Sequence, residues 1–307
     1  VKITFCLAGT VITITFLDQT RQVAHFYETI YRKFIVDKHP ADANLTVRFL
    51  PCTSAQLPCV GGEENPHFEM VIPNEQAALW LGNQPKETDG FSIESGSVAI
   101  RLLNTVLLFS PETRTGRIYL AKNEDQPFRC LYHLLWIFSA QILGERGGCC
   151  LHAAALVKNM NGYIFSGDSG AGKSSLAVRW PQDGILSDEG PIITGRGNDL
   201  RVFPSPFNQL DPEAVMGNQD APGGCRVQGL YFLVQNKTTY IERASFKTSL
   251  SLMISRRILF FPFLSSTARA KLFDIFFEIC NQIPMNFLYL QKDADFWKQL
   301  STNQAEV

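Results

Sequence analysis

The chain reads as an α/β protein in two parts, a smaller β-rich α+β N-terminal domain over residues 1–125 and an α/β domain over 126–307. Three observations predict this. Short β-type apolar runs crowd the first 125 positions, and strand-like runs alternate with helical patterns after them. Between one such run and a helix-compatible stretch stands a glycine-rich turn, "GDSGAGKS" at 167–174.

In the first part, "VITITFL", "NLTVRFL", "TVLLFS" and, behind a turn, "TGRIYLA" read as strands. Apolar residues alternate with Thr13 and Thr15, so the apolar start is expected to be strand rather than a secretory leader. "QVAHFYETIYRKFI" has helical spacing, with Val23, Phe26, Ile30 and Phe34 near one face. Turn-rich stretches such as "PCVGGEENPH" separate these pieces.

From Gln126 the pattern changes to a long apolar helix, expected to stop at Gly147 and Gly148, with His133 packed in the core. Polar residues interrupt it too often for a membrane span. Further along, "VQGLYFLVQ" and "MNFLYLQ" read as strands, and helices are expected over Thr248 to Ser255, over Ser265 to Cys280 and in "DADFWKQL". The loop-rich stretch 203–226 reads as a substrate-binding lid or as a floppy insertion. Arg256 and Arg257 read as a solvated helix end, and "ILFFPFL" as core.

Composition excludes several classes. With 307 residues, 45% hydrophobic, 19% charged and a formal net charge of −1, the chain has ordinary globular composition. There is no electrostatic case for nucleic acid or an anionic membrane. Eight cysteines at irregular spacing include no CxxC pair, which argues against a zinc ribbon and for reduced thiols in a cytoplasmic protein.

Gly167, Asp168, Ser169, Gly170, Ala171, Gly172, Lys173 and Ser174 fit GxxxxGK[ST] at every fixed position, and Ser175 continues into the helix. Glycines let successive backbone N–H groups face one anion, and the helix N-terminus adds its dipole. Lys173 is expected to reach the β- and γ-phosphates of ATP, and the Ser174 hydroxyl to help hold Mg²⁺.

Two neighbours extend the site. "HAAALVKNMNGYIFSG" reads as a β-hairpin turning near Met160 and ending in Asn-Gly, which sets His152 opposite the Gly167–Asp168 entrance. After Lys173 a helix runs out to Pro181 over roughly 12 Å. A strand from Gly184 to Asp188 covers roughly 13 Å on the way back. Asp188 and Glu189 should therefore arrive level with the phosphates, one acid near Mg²⁺ and the other accepting a proton from an attacking hydroxyl. Asp188 follows Lys173 by only fifteen positions, a compact arrangement.

On "LHAAALV", "GDSGAGKS" and "LSDEG", the chain resembles the catalytic domain of HPr kinase/phosphorylase and, more distantly, ATP-dependent phosphoenolpyruvate carboxykinase. The match covers about residues 148 to 190 well and the rest in outline. Glu189 stands where the family has a second aspartate, and the family's later glycine- and arginine-rich signature is not found beyond "GRGNDLRVF". The layout looks more like the HPr-kinase-like proteins of peptide natural-product cassettes, including lasso-peptide and SynChlorMet-type clusters. The resemblance implies a P-loop kinase-like fold, His152 and Asp188 as the proton-handling pair, Ser174 and Glu189 at the metal, and a peptide or small-protein substrate.

The expected activity is ATP-dependent transfer of phosphate to a serine or threonine hydroxyl of a peptide or small protein. Its catalytic residues would be His152, Asp188 and Lys173, its cofactors ATP and Mg²⁺. The alternatives are a nucleotide-binding accessory protein that delivers or gates a peptide for a partner enzyme, with the N-terminal domain docking the peptide, and a small-molecule kinase. No nucleic acid or membrane partner is expected, and association into a homo-oligomer is left open.

Overall fold

The computed structural model describes residues 1–17, 21–37, 39–50, 70–71, 97–102, 105–121, 127–179, 181–254, 264–291 and 294–303. Cys52, Cys59, the "PCVGGEENPH" turn, Gln126, Ser255, Arg256 and Arg257 lie outside them, as does all of "ILFFPFL" except Leu264. The chain divides into two units, Val1–Arg146 with Phe260–Arg269, and Gly147–Leu259 with Ala270–Val307. A division at residue 125 differs from this, because the long helix falls with the first unit.

The first unit holds a mixed sheet of β1 (Lys2–Leu7), β2 (Thr10–Phe16), β3 (Ala43–Leu50), β4 (Met70–Val71), β5 (Val98–Leu102), β6 (Thr105–Ser110) and β7 (Thr115–Ala121). Their order is β1-β2-β3-β7-β6-β5-β4, with β2, β3 and β7 parallel. β1 and β2 form a hairpin, Thr4 bonding Thr13 across it at 2.9 Å, so the apolar start is strand.

Helix α1 (Arg21–Tyr31) buries Val23, Ala24, Tyr27 and Tyr31, whereas Phe26 is 42% exposed. The expected face is thus rotated toward the tyrosines. Tyr27 is wholly buried because its hydroxyl finds a partner, donating to the Phe128 carbonyl at 2.7 Å. Helix α2 (Pro127–Glu145) follows, and Gly147 ends it at φ +81°. A Cβ on Gly116 of β7 would sit 2.8 Å from the ring of Phe138, so that glycine lets α2 lie directly on the sheet. His133 is half-buried and bonds the Arg129 carbonyl through Nδ1 at 2.8 Å, so it is not a core residue.

The second unit is built on a sheet of β8 (Gly148–Cys150), β9 (Ala153–Lys158), β10 (Asn161–Ser166), β11 (Gly184–Ser187), β12 (Ile192–Thr194), β13 (Arg201–Phe203), β14 (Cys225–Gln235), β15 (Tyr240–Arg243) and β16 (Met285–Leu290). The order β11-β9-β10-β14-β13-β12-β8 puts β10 inside the sheet between β9 and β14, and β16 pairs both β14 and β15. Helices α3 (Lys173–Arg179), α4 (Phe246–Leu252), α5 (Ser266–Gln282) and α6 (Trp297–Asn303) accompany it, α5 beginning within the part assigned to the first unit.

β10 is an interior strand because its side chains are apolar on both faces, and Tyr163, Ile164 and Phe165 are all buried. Phe165 packs on Tyr231, Phe296 and Trp297, a burial worth about 1.5–3 kcal/mol. This core fixes the strand that feeds the glycine turn.

No disulfide links the six described cysteines. Among the described residues, no helix is long and apolar enough to cross a membrane.

Candidate functional site

The site begins at the β9–β10 hairpin. Its two-residue turn is Asn159–Met160, at φ +52° and +60°, so the hairpin turns at Met160 as expected, while Asn161 and Gly162 already belong to β10. Asn tolerates this left-handed conformation, and the Asp183 carboxylate accepts the Asn159 N–H to hold the turn. Gly162 has a different reason to be glycine: a Cβ there would sit 2.2 Å from Val202 Cγ1, so it admits the Val202 side chain of β13.

The register pairs Ser166 with Ala153, so one step further His152 lies at the position facing Gly167. Ser166 donates its hydroxyl to the His152 carbonyl at 3.0 Å, closing the open end of the hairpin.

The turn that follows needs glycine in two ways. Gly170 and Gly172 have φ +78° and +103°, with open space where a Cβ would be, so backbone conformation demands them. Gly167 is required by space, since its Cβ would lie 2.7 Å from that of Ala171. Ala171 donates its N–H to the Asp168 carbonyl at 3.0 Å, and Gln235 of β14 ties the Gly170 carbonyl at 2.9 Å. Asp168, Ser169 and Gly170 are exposed at the tip.

Lys173 opens α3 and is 8% exposed. Its ammonium donates back to the Gly167 carbonyl at 2.9 Å and the Asp168 carbonyl at 3.3 Å, so the charge sits inside the curl. Ser174 is half-buried and Ser175 exposed on the first turn of the helix. The helix stops at Arg179, two residues before Pro181.

β11 returns the chain as its length requires, with a bulge. Gly184 faces Val157 and Ile185 faces Leu156, but Ser187, not Leu186, faces Ala155. The extra residue advances the register, and Ala153 donates its N–H to the Glu189 carbonyl at 3.1 Å. Leu151 likewise donates to the Pro191 carbonyl at 3.1 Å. The backbone of His152 is thus flanked by Gly167 on one side and by the acid pair on the other.

Asp188 is 1% exposed. Its Oδ1 accepts the N–H groups of Gln209 at 3.0 Å and Leu210 at 3.5 Å, and its Oδ2 has no hydrogen-bond partner among the described residues. Burial and the neighbouring Asp188 push the Glu189 carboxyl above the usual carboxylate range, while a hydrogen bond from Gln209 and the Lys173 charge draw it back. The Lys173 ammonium therefore lies close enough to Glu189 to favour its charged form.

The stretch 203–226 is tied to the sheet and is not a floppy insertion. Pro204 to Phe207 are buried, Met216 donates to the Ile185 carbonyl at 2.8 Å, and a single 3-10 turn spans Pro212–Ala214. Asn208, Gln209, Ser187 and Gln235 were not anticipated as parts of the site, because nothing in a polar loop sequence distinguishes a residue that reaches a distant acid. The only hint was the length of the loop beside the motif.

On the other side of the glycine turn lies a cavity of about 350 Å³. Leu176, Leu290 and Ala294 give it apolar walls, and Arg179, Gln235 and Asn236 stand at its polar edge.

Hard cations take oxygen donors, and the Ser174 hydroxyl and Glu189 carboxylate are of that type. Among the described residues no group of three or more His, Cys, Asp or Glu could hold a metal by itself. A cation here would share its coordination with phosphate oxygens and water, as suits Mg²⁺. No protein-family model matches the chain, and no curated protein matches it.

Proposed function

We propose that the protein is an ATP-dependent phosphotransferase of the HPr-kinase-like kind, acting on a serine or threonine hydroxyl of a peptide or small protein. The observation that carries this reading is convergence: strand register brings His152, the Gly167–Ser174 turn and the Asp188–Glu189 pair to one end of one sheet. None of these is a neighbour of the others in sequence, and each has a task in phosphoryl transfer.

The loop amides and Lys173 hold the β- and γ-phosphates, Lys173 giving up its bonds to the Gly167 and Asp168 carbonyls. The cavity beside Leu176 and Leu290 has the volume and mixed lining for a base and ribose. Ser174 and Glu189 are the residues that would hold Mg²⁺, which neutralises charge on the transferring phosphate. The acceptor oxygen bonds to the γ-phosphorus as the bond to the β–γ bridging oxygen breaks. The hydroxyl proton passes to Asp188 Oδ2, and ADP leaves. His152 faces the same end of the sheet and, by the family resemblance, shares in handling that proton.

A second reading is favoured by one observation, the burial of Asp188. A covered acid suits a nucleotide-binding accessory protein that delivers a peptide to a partner enzyme and performs no transfer itself. Incubation with Mg²⁺-ATP and serine-containing peptides, read by mass spectrometry for one added phosphate, separates the two. Transfer that disappears in Asp188→Asn while ATP still binds is expected. Tight ATP binding with no transfer to any peptide would overturn the kinase reading in favour of the accessory one.

A further inference from the structure

We propose that Ser205–Leu210 is a strap that keeps Asp188 dry until an acceptor arrives, and that Asn208 is the positioning residue that latches it. The inference rests on the kinase reading of the same site.

The latch is a closed set of hydrogen bonds. Asn208 Oδ1 accepts the Ser187 hydroxyl at 2.7 Å and the Asp188 N–H at 3.0 Å, while its Nδ2 donates to the Ser205 carbonyl. Ser187 Oγ in turn accepts the N–H groups of Gly190 at 2.8 Å and Glu189 at 3.3 Å. Ser205 donates its N–H to the Leu186 carbonyl at 3.3 Å, and its hydroxyl accepts that of Phe207 at 3.0 Å. One amide side chain therefore joins the end of β11, the acid pair and the strap. Only a side chain with an acceptor and a donor on one short stem can do this.

The consequence falls unequally on the two oxygens of Asp188. Gln209 and Leu210 occupy Oδ1 with backbone N–H groups. Oδ2 is buried with no hydrogen-bond partner among the described residues. A buried carboxylate oxygen left unsatisfied costs free energy, so it persists only where the surroundings hold it. Held this way, Oδ2 remains a proton acceptor that water does not reach. Such an arrangement guards against a side reaction common to kinases. Water would otherwise bond to the γ-phosphorus, its proton passing to Oδ2, the bond to the bridging oxygen breaking, and ADP and phosphate leaving.

The test needs no knowledge of the acceptor. Hydrolysis of Mg²⁺-ATP without peptide is measured for the full chain and for Asn208→Ala and Ser187→Ala, which break the latch from opposite sides. The readout is paired with nucleotide affinity and with amide hydrogen exchange at Asp188, Gly190, Gln209 and Leu210. Both variants should bind nucleotide like the parent, exchange faster at these amides, and hydrolyse ATP at least about tenfold faster. The double variant should add little to either single one, and a further Asp188→Asn change should abolish the gain. A merely structural Asn208 would leave hydrolysis per folded molecule unchanged or lower it, and that result overturns the proposal. If one variant fails to fold, the other still decides. A parent that binds no nucleotide would sink the kinase reading itself. The strap is then judged by exchange alone, and unchanged protection in Asn208→Ala would overturn it.

Discussion

Ala153 donates its backbone N–H to the carbonyl oxygen of Glu189 at 3.1 Å, and through this bond the strand that starts beside His152 is tied to the acid pair. The tie depends on the bulge at Leu186. Without the extra residue, regular antiparallel pairing would bring Asp188 opposite Ala153 and turn both acids over, since a one-residue slip exchanges the faces of a strand. The position of the acids is thus a property of the sheet, and the first predictions concern what each side chain adds to that frame.

Asp188→Asn should separate binding from transfer. Asn keeps an oxygen for the Gln209 and Leu210 N–H groups and has nearly the shape of Asp. The variant should remain folded, as urea denaturation checks. ATP affinity should be unchanged by calorimetry, and phosphate transfer should fall by about 10²–10⁴-fold as the proton acceptor is lost.

Lys173→Ala should weaken nucleotide binding while the fold persists. The ammonium now bonds two carbonyls of the turn, and in the proposed complex exchanges them for phosphate oxygens. Charge-assisted bonds of this kind contribute about 1.5–3 kcal/mol, or roughly ten- to hundredfold in affinity. Titration calorimetry with ATP, beside a circular dichroism melt to show that the variant is folded, checks both halves.

Much of this site was legible because it depends on local rules. Glycines at 170 and 172 announce positive φ, and counting rise per residue out along the helix and back along the strand suffices to return Asp188 to the turn. The hairpin register also follows from a turn centred near Met160, which Asn159–Met160 makes. What sequence pattern could not supply was long-range. Gly162 looks like a turn residue and is in fact the space into which Val202 packs. Tyr27 looks amphipathic and is wholly buried, because a carbonyl 101 positions away accepts its hydroxyl. Asn208 is one polar loop residue among many until the bulge brings Ser187 to it. Short strands such as β12, β13 and β15, of three or four residues, carry too few positions to show alternation.

Glu189 should leave a mark on the pH dependence of stability. Burial, with Asp188 beside it, raises its pKa in the folded state above that of the unfolded chain. The folded protein therefore keeps this proton at pH values where the unfolded chain has lost it. Stability from this group falls as pH rises from about 4.3, the ordinary value, and levels off above the folded-state pKa. Glu189→Gln removes that fall. The stability difference between variant and parent should therefore move in the variant's favour as pH rises from about 4.3 and level off above the folded-state pKa. Urea midpoints measured in the presence of a chelator test this, and a difference constant across the range would count against it.

Gly167 offers a compensating pair. A methyl group there would meet the Ala171 Cβ at 2.7 Å and the Leu233 Cβ at 3.2 Å, and the first contact is too short to survive unchanged. Gly167 has no positive φ, so the obstacle to alanine is space and not backbone conformation. Gly167→Ala should therefore displace Ala171, and with it the curl of N–H groups proposed to hold the phosphates, lowering nucleotide affinity and costing about 1–3 kcal/mol of stability from overpacking. Removing the obstructing methyl in Gly167→Ala/Ala171→Gly should restore part of both. At Gly170 and Gly172 no such rescue exists, because a Cβ there meets open space and the penalty comes from φ, about 1–2 kcal/mol per site. Melting temperatures and ATP affinities for the two single variants at 167 and 170, with the double variant, distinguish the causes. Recovery in the double variant shows that atomic contact defines Gly167. Absence of recovery would mean that the turn needs glycine at 167 for some reason other than its distance to Ala171.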